Sequence, residues 1–467
     1  MSKHNKKFNY IPFIIILLSM LLFFGIFLFF FPIKKLNDLN NLSQDSYDSI
    51  FVSAYSVENY TADAFKTYRG LETYVCQHSF RTSSELNLYL ETALQSDNAI
   101  HTIYIGLDPH IFYKQGATDE AEITKALNHL CNYMIQYPSV TFEILLPAHA
   151  MTYWASKDEN ELEQILQSYQ YAVSCFEPHA NAICFFVGDE EWLIQNPANY
   201  DATATPNTLI SETLLRYTFC DRRKLINMSN SDTILENFRI TVQKEQQVPS
   251  QYPDLSHKTI VFFGDSILGL QNGSYSVPGV IDGLTNAHIY NYAIGGTTAY
   301  DSDPTTDTDN SFTDQLNKFL NSADFYTRDN TQFPYEKAEP QDMVFVINYG
   351  FNDYLCNVPT TEYEQTLRTE IARIKAAYPE SQIIIMTPYE NIYHNGGTAS
   401  VNDQGKTVQQ YADIVTRIAN DVDITLLDIP SKLDINESTN SFYFDGGCHY
   451  TENGRYYLAK CIISIIE

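Results

Sequence analysis

The sequence predicts two consecutive α/β domains behind one N-terminal transmembrane helix, the second domain built on a doubly wound parallel sheet. Three observations carry this. Charge-poor apolar runs of strand length alternate with helix-period segments, twice along the chain. A charge-free apolar stretch of bilayer length lies near the N-terminus. With 467 residues, 44% of them hydrophobic, the chain is long and apolar enough for two or three cores.

Residues 8–33 carry no charge and are dominated by Ile, Leu and Phe. Lys3, Lys6 and Lys7 precede the run; Lys34 and Lys35 follow, then Asp38, Asp45 and Asp48. This slight lysine bias puts residues 1–7 in the cytoplasm and the rest of the chain outside. No small-x-small cleavage site closes the run, so it reads as an uncleaved anchor; the alternative is a cleaved signal peptide, and either way the bulk of the chain is exported. Lys and Arg total 29 against 57 Asp and Glu, a net charge of -28. Such a surface argues against nucleic acid and against anionic lipid as partners. The eight cysteines show no C-x-x-C pair and no zinc spacing, and they leave disulfide pairing open.

Residues 50–228 form the first predicted domain. Strands are expected at 100–107, 141–146 and 182–187, with a helix at 118–135. Ser156-x-x-Glu159 has the form of a capping box, followed by Leu162, Ile165, Leu166 and Tyr169 on one helical face. The order implies a parallel sheet. Asp108, His110, His149, Asp189, Glu190 and Glu191 lie near strand ends, yet no serine stands in a G-D-S or G-x-S-x-G setting. Residues 229–257 are polar and read as a linker.

In residues 258–467 strands are expected at 259–263, 288–293, 343–348, 382–387 and 424–429. Thr361-x-x-Glu364 reads as a second capping box, with Tyr363, Leu367, Ile371, Ile374 and Tyr378 along one face; Val408, Tyr411, Ala412, Val415, Ile418 and Val422 repeat the helical spacing. A last helix follows His449. Five strands with intervening helices give a doubly wound sheet covered on both faces. The strand ends carry Gly264-Asp265-Ser266, then Asn291 to Thr297 with Gly295-Gly296, then Gly350-Phe351-Asn352-Asp353; Asp445-Gly-Gly-Cys-His449 precedes the last helix. Singly, each block is as well a helix cap or a tight turn. Together they hold a hydroxyl, an imidazole, a glycine amide and an asparagine amide on the edge where such sheets bind ligands. Those are the parts acyl transfer needs.

These four blocks resemble, in order and spacing, those of the SGNH (GDSL-type) serine hydrolase family. The resemblance covers 258–467 and implies a three-layer α/β/α sandwich, flavodoxin-like, with ester hydrolysis that uses no metal or cofactor. Ser266 resembles the nucleophile and His449 the general base, with Asp445 its orienting carboxylate. The backbone N–H groups of Ser266 and Gly296 and the Asn352 side chain resemble the oxyanion donors, with Asp265 and Asp353 in support. Two departures stand out: Asp445 lies four residues before His449 where the family places its acid three before, and Ile267 replaces a leucine. Ala293 also stands where the second block often has a glycine. More weakly, residues 50–228 resemble a degenerate, silent copy, with a plain α/β spacer domain as the alternative. Tyr55 falls where its nucleophile would be, and Ala204, closing the block that starts at Asn199, where its histidine would be. The expected activity is a membrane-anchored, extracytoplasmic esterase acting on acyl esters, O-acetyl groups of glycan or wall polymer preferred. An O-acyltransferase with the same residues and a non-catalytic binding or scaffold protein are the alternatives.

Overall fold

In the computed structural model, residues 37–55, 57–112, 120–201, 206–247, 250–269, 274–301, 310–321, 325–326, 332–333, 342–389 and 400–466 are described. The anchor expected at 8–33 lies outside them; among the described residues no helix is long and apolar enough to cross a membrane. Over these residues the chain divides into two compact units. One takes Met1–His149, Ser156–Asp189 and Thr205–Thr241; the other takes Ala150–Ala155, Glu190–Ala204 and Val242–Glu467. The division therefore does not fall at 229–257 alone. That stretch carries a helix, Ser231–Gln247, which buries Leu235, Phe238 and Val242.

The first unit has five parallel strands, β1 (Ser49–Ser53), β2 (Thr73–Val75), β3 (Thr102–Gly106), β4 (Thr141–Leu145) and β5 (Ala182–Phe185). Their order is β2-β1-β3-β4-β5. Three were expected; β2, at 3 residues, is too short to show a period. The helix Glu159–Phe176 is capped by Asp158, whose Oδ1 accepts the Glu161 N–H at 2.8 Å, and not by Ser156. Its predicted face is right: Leu162, Ile165, Leu166 and Tyr169 are buried.

The second unit contains β6 (Thr259–Gly264), β7 (His288–Asn291), the two-residue strands β8 (Phe325–Tyr326) and β9 (Gln332–Phe333), β10 (Met343–Asn348), β11 (Gln382–Met386) and β12 (Thr425–Leu427). The main sheet is parallel, in the order β12-β11-β10-β6-β7. The chain starts at β6, one strand in from the edge, steps out to β7, then returns past β6 to β10, which makes the sheet doubly wound. Every residue of β6 is buried. Val261 and Phe263 join a core with Phe345, Ile347 and the helices Phe312–Leu320, Thr360–Ala377 and Val408–Val422. Ile260 and Phe262 point to the opposite face, because alternate side chains of a strand do. The helices Val277–Thr285 and Glu452–Ile463 bury Val280, Ile281, Leu458 and Ile462 outside that core. A strand buried on both faces must be apolar throughout, which is the run the sequence displays.

The capping box at Thr361 is not formed. The helix begins at Thr360 behind Pro359, and Glu364 instead binds Arg368 and Arg417. Pro359 presets the backbone for a first turn without a side-chain cap. All eight cysteines are free thiols.

Gly350, just past β10, has φ +124, and a Cβ there would meet Tyr363 Oη at 2.6 Å and Pro388 Cγ at 2.8 Å. Gly350→Ala is expected to lose about 1–3 kcal/mol from backbone strain alone, with the clash adding to it, read as a lower urea midpoint.

Candidate active site

β6 and β10 are neighbours, with Gly264 opposite Asn348, so their carboxyl ends open side by side where the winding reverses. Past β6, Asp265 is buried and its Oδ1 accepts the Ile267 N–H at 2.9 Å, which fixes the turn that presents Ser266. Past β7, the Ile294 N–H and the Thr297 hydroxyl both reach the Gly264 carbonyl, at 3.0 and 3.2 Å. Gly296 lies in this loop with φ +83, a conformation that favours glycine.

Past β10, Asn352 donates one amide hydrogen to the Thr297 carbonyl at 3.0 Å, leaving its second hydrogen for another acceptor. Asp353 is fully buried. Both its oxygens accept the Ala299 N–H at 3.0 Å, and Oδ1 takes Tyr300 N–H at 3.3 Å. Burial pushes Asp265 up to about 7, against the Ile267 N–H, and the charge of Asp353 adds to the rise. Burial pushes Asp353 up to about 7 as well, against the N–H groups it accepts.

The imidazole comes from the far end of the chain. Phe444 and Tyr450 form an antiparallel bridge with stacked rings 4.8 Å apart, and the Asp445 N–H donates to the His449 carbonyl at 3.0 Å. This tight turn aims His449 Nε2 at Ser266 Oγ, 3.1 Å away. Asp445, expected to orient His449, does not reach it. Its carboxylate is exposed and accepts the Gly447 N–H at 2.8 Å. The extra residue of the turn supplies that donor and draws the carboxylate aside. Cys448 Sγ lies 3.9 Å from His449 Nδ1 and 3.8 Å from Nε2.

Residues 262–455 match the model of the GDSL-like lipase/acylhydrolase family. The chain carries an ester-hydrolase domain of this family. No curated protein matches the chain. Solved structures similar to it include a member of the lipolytic G-D-S-L family from Veillonella parvula, 17% identical, covering 45% of this chain and 98% of that one, with a TM-score of 0.33. The acetyl xylan esterase AlAXEase is 16% identical over 45% of this chain and 100% of that one, TM-score 0.33. A variant of Axe2, an acetyl-xylooligosaccharide esterase from Geobacillus, is 17% identical over 45% and 95%, TM-score 0.30.

Beside Ser266 the GDSL-like domain has a cavity of about 10 Å³ lined by Ser266, Ile267, Ser276, Val277, His449 and Arg455. Arg455 was not foreseen. It is buried, donates from Nε to the Tyr275 carbonyl at 2.9 Å and from Nη1 to the Tyr450 carbonyl at 2.6 Å, and pairs with Glu452 at 3.2 Å. No local pattern marks it, because its acceptors include a carbonyl 180 residues away.

Of the polar residues singled out in the first predicted domain, Asp108, His110 and His149 lie near Tyr55, and Asp189, Glu190 and Glu191 pair elsewhere. Tyr55 stands two residues past Ser53 of β1, the register that Ser266 holds past Gly264 of β6, and its buried hydroxyl donates to the Leu145 carbonyl at 3.0 Å. Asp108 is pushed up to about 6 by burial and accepts the His110 N–H; the His149 ring lies 5.7 Å from that of Tyr55. Asp189 pairs with Lys224 at 3.0 Å. Glu190, Glu191 and Asn199 fall in the second unit. There Glu190 binds Trp192 Nε1 and Asn453, and Glu191 accepts from Tyr457. Ala204 lies outside the described residues.

Asp265 offers a test of its burial. Its carboxyl goes from an ordinary 3.8 to about 7, so between these values the folded chain holds a proton that the unfolded chain has lost. Stability from this group therefore falls as pH rises from about 4 to 7. Asp265→Asn keeps the oxygen that accepts from Ile267; urea titrations at a series of pH values are expected to show a shallower fall for it than for the wild type.

Proposed function

We propose that residues 258–467 hydrolyse acyl esters, acetyl esters preferred, through a serine–histidine pair. The observation that carries this is the 3.1 Å contact between Ser266 Oγ and His449 Nε2. A serine hydroxyl is a poor nucleophile until a base takes its proton. As Oγ attacks the ester carbonyl carbon, Nε2 accepts that proton and the carbonyl oxygen becomes an oxyanion. The N–H groups of Ser266 and Gly296 and the second amide hydrogen of Asn352 donate to it. Collapse breaks the bond to the alcohol, which leaves with the proton from His449. Water then attacks the acyl-serine with His449 again as base, releasing the carboxylic acid and restoring Ser266.

The cavity beside Ser266, about 10 Å³, has room for roughly one water-sized group, which supports a methyl side on the acyl carbon. The charge-free run at 8–33 supports a membrane-anchored chain with this domain outside, where acetylated glycan or wall polymer is the substrate it would meet. Protease digestion of a C-terminal tag on intact cells tests that topology; a protected tag rules it out.

With p-nitrophenyl acetate, Ser266→Ala and His449→Ala are expected to fall to background. Asn352→Ala should lose about a hundredfold in kcat, the typical worth of one oxyanion donor. Activity that survives in Ser266→Ala would end this reading. A carboxylate that orients the histidine of a triad is worth about 10⁴ in kcat. Asp445→Ala should stay within about tenfold of wild type, because its carboxylate serves Gly447 and not His449.

A further inference from the structure

One side of the cavity beside Ser266 is lined by Ser276 and Val277, at the start of the helix Val277–Thr285. Ser276 caps that helix by accepting the Gly279 N–H at 3.0 Å. The residue before it, Tyr275, is held by Arg455 through its carbonyl. The residue before that, Ser274, is held from a part of the chain far upstream. Asn196 donates to the Ser274 carbonyl at 2.7 Å, and the Ser274 hydroxyl donates to Asn199 Oδ1 at 2.6 Å. Neither asparagine is exposed at all. Asn199 is fixed in turn by donating to the carbonyls of Trp192 and Leu193, at 2.9 and 3.0 Å, and Asn196 Oδ1 accepts the Ala198 N–H at 3.1 Å. The same Oδ1 lies against the helix: a Cβ on Gly283 would meet it at 2.2 Å.

We infer that Asn196 and Asn199 are positioning residues that set the acyl-side wall of the esterase site, and with it the acyl length accepted. The inference rests on the esterase reading above. Both residues lie outside the 262–455 segment shared with the family, so the restriction belongs to this chain's own upstream strap, Glu190–Asp201. Two buried amides that engage both the carbonyl and the hydroxyl of Ser274 leave Ser276 and Val277 little room to retreat from a longer acyl chain. Packing alone would hold the helix; directional bonds at Ser274 also fix how far its first turn stands from Ser266.

The test uses the full-length chain with p-nitrophenyl acetate and p-nitrophenyl butyrate. In Asn196→Ala the ratio of kcat/KM for butyrate over acetate is expected to rise about tenfold, the scale of one or two methylenes in an apolar pocket. The rise should come through a lower KM for butyrate, with acetate turnover kept. Ser274→Ala removes a single hydroxyl and should move the ratio in the same direction by less; it carries the test if Asn196→Ala does not fold. A ratio unchanged in folded Ser274→Ala and Asn196→Ala overturns the inference, whether or not overall activity falls. A wild type inactive on both esters removes the esterase reading and this inference with it, whereas an active wild type with unmoved ratios removes the inference alone.

Discussion

A buried carboxyl group holds the edge of the candidate site together. Asp353 takes backbone N–H groups from Ala299 and Tyr300, while its neighbour Asn352 donates to Thr297. These bonds fasten the loop after β7 to the turn after β10, and Thr297 fastens that loop to the end of β6. Donors aimed at a developing charge are useful to the extent that they need not move when the charge appears. Here the bond from Asn352 to the Thr297 carbonyl ties the asparagine amide to the loop that carries Gly296, as donors proposed for an oxyanion would need. The cost is a carboxyl group taken out of water, and burial pushes it up to about 7 against the N–H groups it accepts.

Much of this was legible in the residues. β6, β10 and β11 were found within a residue of their ends, because strands buried on both faces must be unbroken apolar runs. The four blocks were legible because chemistry needs those residue types at those strand ends. Helix caps were not. Ser156 and Asp158 are both good capping residues, and only the direction in which the chain enters the helix chooses between them. The unusual spacing of Asp445 was visible, but not its outcome, which is settled by a backbone N–H of Gly447. Arg455 and Asn196 could not be found at all. Their partners are carbonyls 180 and 78 residues away, and carbonyls carry no signature in a sequence.

The first unit repeats the strand order of the second, with its two edge-of-sheet turns in matching register. What differs is the side chain presented there. A phenol at position 55 is larger than a serine hydroxymethyl, and its oxygen is already bound to the carbonyl at the end of β4. The scaffold that presents Ser266 in one unit is used in the other to close the same edge with an aromatic ring.

The upstream strap has a consequence for how the protein is made. Because Glu190–Ala204 and Ala150–Ala155 belong to the second unit, the polypeptide passes between the two units more than once. No single cut separates them, and the hydrolase half leaves the ribosome with part of its wall already synthesised and waiting. That segment stays without its final neighbours until residues 274–283 and the C-terminal helix have emerged, so the second unit is complete only when the whole chain has been made.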